Sequence, residues 1–504
     1  MRTSILRSRT VIATLVASLI LSCKSGDETA TDLSGPSDLG TSDLGTVEQL
    51  VLSSLSPTVG GTAGGTSLTL RGSGFRTGAI VRIGDTIASN ILVSSDGTSI
   101  TCSTPARRQK PGPVDVIVVN PSGLSSSLSQ SFRYFLSTLS FDTPTMLAGT
   151  DVGPRSVAIA DLNKDGYPDI VAVFQTSSTV QVHKNSGSGS FSVSSSRSVG
   201  SAPYGLLVAD LDGNSNLDVA VASAGSSSVG VLLGDGQGAV ASSVGSATGG
   251  SLPISLAALD ANSDGSVDLL VANSGTAMTG NLAFLVGNKT AAFAQGSAIA
   301  TQAATLVALT ATDIDGNGKL DLVGVHRLSQ STATNLSVLI HRGQTAAPLF
   351  ALGAAKTNQA NANAAASGDV NRDGFGDVIV TNDLGTTGKL TVHLGAASGQ
   401  LGDATAGYDL DGTPTAVSTA DLDGDGVLDA IVANLSGVSG NLSILRGKGD
   451  GTFAASQRID FPSTVRPVSV SVGDLDQDGI ADLVIADQPS TGNGAILVRR
   501  GTGQ

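Results

Sequence analysis

The chain has 504 residues, long enough for several domains, and a formal net charge of −14. Binding a phosphate backbone needs a basic face, so this balance excludes a nucleic-acid partner. With 64 glycines, no tryptophan and 3% aromatic residues, the composition fits many short strands joined by tight turns rather than a helical protein.

In chain order, Arg2, Arg7 and Arg9 precede an apolar run from Val11 to Leu21. The run is too short to span a bilayer, and residues 1–22 read as an export signal. It ends in "LILSC", which resembles the lipobox of bacterial lipoproteins, with Cys23 as the lipidated residue. That resemblance implies a membrane tether without a spanning helix. The alternative is an ordinary secretory signal cleaved nearby. Lys24 stands where many Gram-negative lipoproteins of the inner membrane carry Asp, so the resemblance points to the outer membrane. With Cys23 acylated, Cys102 is the one cysteine left and no intrachain disulfide can form. Its setting, "SITCST", alternates as a strand does, and Cys102 reads as a small core residue.

Residues 23–47 are rich in Ser, Gly, Thr and Asp and poor in large apolar residues. Such a segment buries too little surface to fold, and we expect a flexible tether. From 48 to 136 short alternating segments ("TSLTLRGSGF", "AIVRIGD", "SITCSTP", "VDVIVVN", "SQSFRYF") are separated by Gly, Pro and Asn turns. That is the pattern of a small β-sandwich. The order of "SPTVGGTAGGTSLTLRGSGF", "ITCSTPA", "GPVDVIVVNPSG" and "SFRYF" resembles the immunoglobulin-like IPT/TIG family, whose domains act as spacers or interaction modules. The short basic cluster Arg107, Arg108 and Lys110 reads as a wet loop.

Residues 137–504 are repetitive. "DLNKDGYPD" from Asp161 returns from Asp210, Asp260, Asp313, Asp369, Asp421 and Asp474, at spacings of 49, 50, 53, 56, 52 and 53 residues. Each copy lies between alternating apolar segments, and four strands in about 50 residues make a β-propeller blade. After the seventh copy only "DLVIAD" and "AILVRRG" remain, one outer strand short. Phe141 stands 20 residues before Asp161, much as Phe453 stands 21 before Asp474. We therefore expect residues 138–148 to supply the missing strand. The fold class expected is all-β: a sandwich followed by a seven-bladed propeller.

Within the nine-residue loop, position 1 and position 9 are always Asp, and positions 3 and 5 are Asp or Asn. Position 6 is Gly except for Ser215, position 2 is apolar, and position 7 varies freely. Side-chain oxygens at 1, 3 and 5 can face one side of a tight turn, a Gly at 6 permits φ > 0, and the carbonyl at 7 and Asp at 9 can complete an oxygen shell. The candidate ligands are Asp161, Asn163, Asp165 and Asp169 in the first copy and Asp210, Asp212, Asn214 and Asp218 in the second. The third and fourth supply Asp260, Asn262, Asp264, Asp268, Asp313, Asp315, Asn317 and Asp321. The fifth has Asp369, Asn371, Asp373 and Asp377; the sixth Asp421, Asp423, Asp425 and Asp429; the seventh Asp474, Asp476, Asp478 and Asp482.

The first five ligand positions resemble an EF-hand loop, but the glutamate at position 12 is missing and strands flank the loop. The resemblance is instead to the FG-GAP/VCBS repeats of integrin-α-like propellers, whose calcium loops join two strands of a blade. It implies Ca²⁺ as cofactor, up to seven ions, one per blade. These positions hold 23 of the chain's 42 acidic residues. Loss of the three signal arginines takes the net charge to −17, and seven divalent ions bring it to −3. The second loop, with Ser215 and Asn214, is expected to bind weakest, and the sixth and seventh, with four aspartates each, most tightly.

No G-x-S-x-G elbow, H-E-x-x-H helix or phosphate-cradling loop occurs. His183, His341 and His393 end corresponding third strands, and His326 ends a second strand; all four read as structural, and no catalytic group is expected. The function expected is a membrane-anchored cell-envelope binding or adhesion protein with a protein or matrix partner. The alternative is a carbohydrate-binding lectin or a polysaccharide-lyase-like propeller. Sugar sites stack pyranose rings on aromatic faces, and only Tyr134, Tyr167, Tyr204 and Tyr408 accompany the 12 phenylalanines.

Overall fold

A computed structural model describes residues 49–504 apart from 108–109, 188, 243, 277–279, 291, 297–298, 300–304, 328–336, 344–349, 353–355, 358–360, 406, 438, 463 and 504. The expected signal segment, Cys23, the tether and Arg108 lie outside the described residues, as does the side chain of His341. No helix occurs among the described residues.

Alternation builds the N-terminal sandwich. In Gly112–Val119 every second residue (Val114, Val116, Val118) is buried, while Pro113 and Asp115 face water. One sheet holds Val51–Ser56, Ser67–Ser73, Ser99–Ser103 and Ser89–Val93. The other holds Val59–Gly61, Ser125–Phe135, Gly112–Val119, Ile80–Ile83 and Thr86–Ile87. Leu68, Leu70, Ile100, Phe132 and Tyr134 fill the space between them, each contributing about 1.5–3 kcal/mol of burial. Cys102 belongs to this core, and burial pushes its thiol up to about 11, far from a reactive thiolate.

The repeats form seven sheets, each an antiparallel meander. In the first, Pro154–Ala160 pairs with Asp169–Phe174, then Thr179–Asn185, then Phe191–Ser198. Second strands such as Asp169–Phe174 and Asp218–Ser223 are buried at every residue. Sheets stacked on both faces explain why these strands read as continuous apolar runs. The first strands contact one another in sequence around a ring, and the last, Pro467–Gly473, returns to Pro154–Ala160.

The ring is joined by segments from both ends of the domain. Thr145–Met146 pairs antiparallel with Ala495–Arg499, and Phe141 bridges Gly501. The Arg500 amide donates to Asp142 Oδ1 at 2.8 Å, and Leu147 donates to the Ile496 carbonyl at 2.9 Å. Thr145 and Val498, 353 positions apart, thus share one sheet, so unfolding one end must disturb the other.

Candidate metal centre

All seven loops leave the C-terminal ends of the first strands and share one hydrogen-bond scheme. The position-1 aspartate accepts from the position-6 amide in every copy, at 2.7–2.9 Å. The oxygen at position 3 accepts from the position-5 amide at 2.9–3.3 Å. The oxygen at position 5 accepts from the position-7 amide at 2.6–2.9 Å. These nested turns are what Asp and Asn side chains supply best, and they aim the oxygens at a common centre.

Position 9 does more than close that centre. Its aspartate opens the second strand and is at most 1% exposed in every copy. One carboxylate oxygen accepts from the position-2 amide at 2.8–3.1 Å. In six copies the other accepts from an amide at the end of the third strand at 2.7–2.8 Å. The residue therefore clasps three strands.

Two independent observations fit a cation. Asp210, Asp212 and Asp218 bring carboxylate oxygens within 4.8 Å of one another, as do Asp313, Asp315 and Asp321, then Asp421, Asp423 and Asp425, and Asp474, Asp476 and Asp482. Asp474 Oδ1 is also buried without a hydrogen-bond partner among the described residues, a costly arrangement unless a cation satisfies it. Acidic groups in these repeats can therefore hold metal ions. Where position 3 is Asn the picture differs: Asn163, Asn262 and Asn371 donate their amide to the position-5 carboxylate at 2.7–2.9 Å. The loops thus divide at position 3. The second falls with the grouped carboxylates, although Ser215 and Asn214 had suggested it as the weakest.

Family comparisons follow this geometry. The IPT/TIG domain family matches residues 50–134. The FG-GAP-like repeat matches residues 161–221, 210–271, 260–324, 369–432 and 429–485, more than half of the chain and all seven loops. The chain belongs to the FG-GAP-like repeat family. No curated protein matches it. The crystal structure of BBS1N in complex with ARL6DN, soaked with lead, is 12% identical, covers 72% of this chain and 96% of that one, and gives a TM-score of 0.44. A Lactobacillus plantarum protein is also 12% identical, covers 78% and 98%, and gives 0.47.

In this FG-GAP-like ring, neighbouring loops are tied together. Lys164 donates to Asn216 at 2.8 Å, Arg372 to the Gly426 carbonyl at 2.7 Å, and Gln477 to the Gly166 carbonyl. All three donors occupy position 4, which takes a left-handed backbone in every copy, from Lys164 at φ 59 to Gly424 at φ 80. The glycine pattern of the sequence marks position 6 as needing that conformation and marks position 4 only in part. Glycines at 213, 316 and 424 were the available signal. Ser215 at position 6 also adopts φ 69, at a cost of about 1 kcal/mol. Ser215→Gly should therefore stabilise the fold by up to about 1 kcal/mol, read as a higher denaturant midpoint. An unchanged or lower midpoint would contradict the strain assignment.

Arginines offset the most acidic loops. Arg500 lies 3.3 Å from Asp476, and Arg446 lies 3.3 Å from Asp423. Arg133 of the sandwich reaches the Gly424 carbonyl at 3.2 Å and stands 3.9 Å from Asp421. The Leu136 amide donates to the Asp423 carbonyl at 2.7 Å. The sixth loop is thus covered by the IPT/TIG domain, and two of its four aspartates, Asp421 and Asp423, each face a guanidinium group.

Burial shifts the carboxylates strongly when no cation is bound. It pushes Asp377 and Asp423 up to about 6, and Asp429 and Asp482 up to about 7, from an ordinary 3.8. The folded state then binds more protons than the unfolded chain across this interval. The stability these groups contribute is present below about pH 4 and lost as pH rises through 6 to 7. Chelator-treated protein should melt at progressively lower temperature between about pH 4 and pH 8, whereas calcium should flatten that slope. A melting temperature that rises over the same interval without calcium would contradict it.

His183, His326 and His393 are fully buried. Burial pushes His183 down to about 4, and His393 Nδ1 lies 3.1 Å from the Gly402 carbonyl.

Proposed function

We propose that the protein is a calcium-stabilised binding protein of the cell envelope, anchored through a lipid on Cys23 and recognising a protein or matrix partner. The carrying observation is the ring of seven acidic loops at one end of the first strands, four of them with three grouped carboxylates. Ca²⁺ suits these loops because it accepts six to eight oxygens in flexible geometry, whereas Mg²⁺ demands a compact octahedron. Position 1, 3, 5 and 9 oxygens would hold the ion, and the ion supplies charge neutralisation that stiffens the hairpins.

The tyrosines support a protein or matrix partner over a sugar. Tyr134 is buried in the sandwich and Tyr167 sits in the first loop. Tyr408 packs edge-on against Phe453 with ring centroids 5.7 Å apart. Few aromatic faces remain for stacking. Crosslinking pull-down from intact cells should recover a surface partner in calcium and lose it in chelator, and lipid labelling should require Cys23. Selective capture on a glycan array with no protein partner would overturn the partner class.

A further inference from the structure

The first strands also enclose a cavity of about 390 Å³ around the ring axis, lined by residues from all seven sheets. That volume falls in the range of small-ligand sites, about 300–1,000 Å³. It lies at the N-terminal ends of those strands. Arg155 is the second residue of Pro154–Ala160, and the first acidic loop begins six residues later at Asp161. The cavity and the loops are thus about 20 Å apart along the strand.

The first strands pack closely around it, and a side chain at Gly205 would collide with the backbone of Ile254. Every first strand carries a register shift within its first four residues, as between Pro154 and Ser156 or Leu306 and Ala308. The residue inside each shift, such as Arg155, Tyr204, Val307 or Thr415, lines the cavity.

Arg155 is the one charged group among the lining residues, and no carboxylate accompanies it. Its guanidinium carbon lies 3.7 Å from the centroid of the Tyr204 ring. Among the described residues it has no ion pair or hydrogen bond, and neither does the Tyr204 hydroxyl. Three other polar side chains in the wall are committed: Thr415 donates to the Pro467 carbonyl at 2.8 Å, and Ser255 exchanges hydrogen bonds with the Leu309 backbone at 3.3 Å. Arg327 and the Pro414 carbonyl hold the Asn363 amide. The donors left free in the cavity therefore include the guanidinium edge and the Tyr204 phenol, together with the hydroxyls of Ser156 and Ser469.

A guanidinium stacked on an aromatic face is held in plane, and its edge N–H groups match a carboxylate in bidentate fashion. A single positive charge balances a monoanionic carboxylate. A phosphate dianion would leave charge uncompensated in a confined, partly buried site. We propose that this cavity binds a small carboxylate-bearing ligand, with Arg155 pairing the carboxylate and Tyr204 both orienting the guanidinium and donating to the ligand. The site goes beyond the calcium reading and depends on none of the acidic loops.

Calorimetry on the full chain with glucuronate, lactate, inorganic phosphate and neutral glucose, at constant ionic strength, tests it. The expected result is carboxylate binding without glucose binding, weakened at least tenfold by Arg155→Gln and less by Tyr204→Phe. Glucuronate binding tighter than lactate identifies an acidic sugar, and the reverse identifies an open-chain acid; either upholds the site. Arg155→Lys, which keeps the charge without the bidentate edge, should bind between the wild type and R155Q, and serves if R155Q does not fold. Absent carboxylate binding, equal binding by the folded Arg155 variants, or a preference for phosphate would overturn the proposal.

Discussion

Replacing Asp482 with alanine should destabilise the ring by about 2–5 kcal/mol, among the largest losses any single loop substitution produces. The side chain is 1% exposed, and its two oxygens accept from the amides of Leu475 at 2.9 Å and Gly501 at 2.8 Å. Alanine leaves both donors buried and unpaired, at about 1–3 kcal/mol each. Asparagine keeps one acceptor and should cost roughly half as much. The position is doubly exposed to failure, because Gly501 lies in the chain that meets the Phe141 segment. Denaturant unfolding measures both variants. A cost for Asp482→Ala below about 1 kcal/mol would show that the strand clasp contributes little.

Calcium removal should act on a comparable or larger scale. A loop held at calcium 100 times its dissociation constant gains about 2.7 kcal/mol. Three such loops give about 8 kcal/mol. With unfolding entropy near 2.1 cal/mol/K per residue, the ring's melting temperature should rise by on the order of 10 °C in calcium. The gain has a physical source in the apo state, where burial raises the Asp429 and Asp482 pKa values. Neighbouring carboxylates that repel one another become ligands of one ion. Because Lys164, Arg372 and Gln477 bridge adjacent loops, the transition should remain cooperative. A melt indifferent to chelator would remove calcium from the account.

The acidic positions 1, 3, 5 and 9 were legible because seven internal copies stand in for an alignment. Their regular spacing also announced the sheets. Less was legible where one residue has two tasks. Position 9 looked like a ligand, yet its partners, such as the amides of Asn185 and Gly447, lie 16 and 18 residues away. Position 4 hid its left-handed backbone behind Lys164, Ser263, Arg372 and Gln477; the turn tolerates these side chains and so leaves only a partial glycine signal. The pairing of Arg133 with the sixth loop spans 291 residues, and no local pattern encodes such a contact. Four aspartates there suggested the tightest site, and charge counting within the loop omitted Arg133 and Arg446. Arg155 and Tyr204 each follow a proline that heads a first strand. That proline offset marks the cavity wall, but the convergence of the two side chains appears only once the ring closes.

The most direct test of the calcium assignment is to strip the full chain with chelator and titrate the ion back by calorimetry. The account predicts saturable uptake of at least four ions per chain, one for each grouped carboxylate set, rising towards seven as the asparagine-containing loops fill. No uptake, or uptake that survives replacement of the position-1 aspartates, would contradict it.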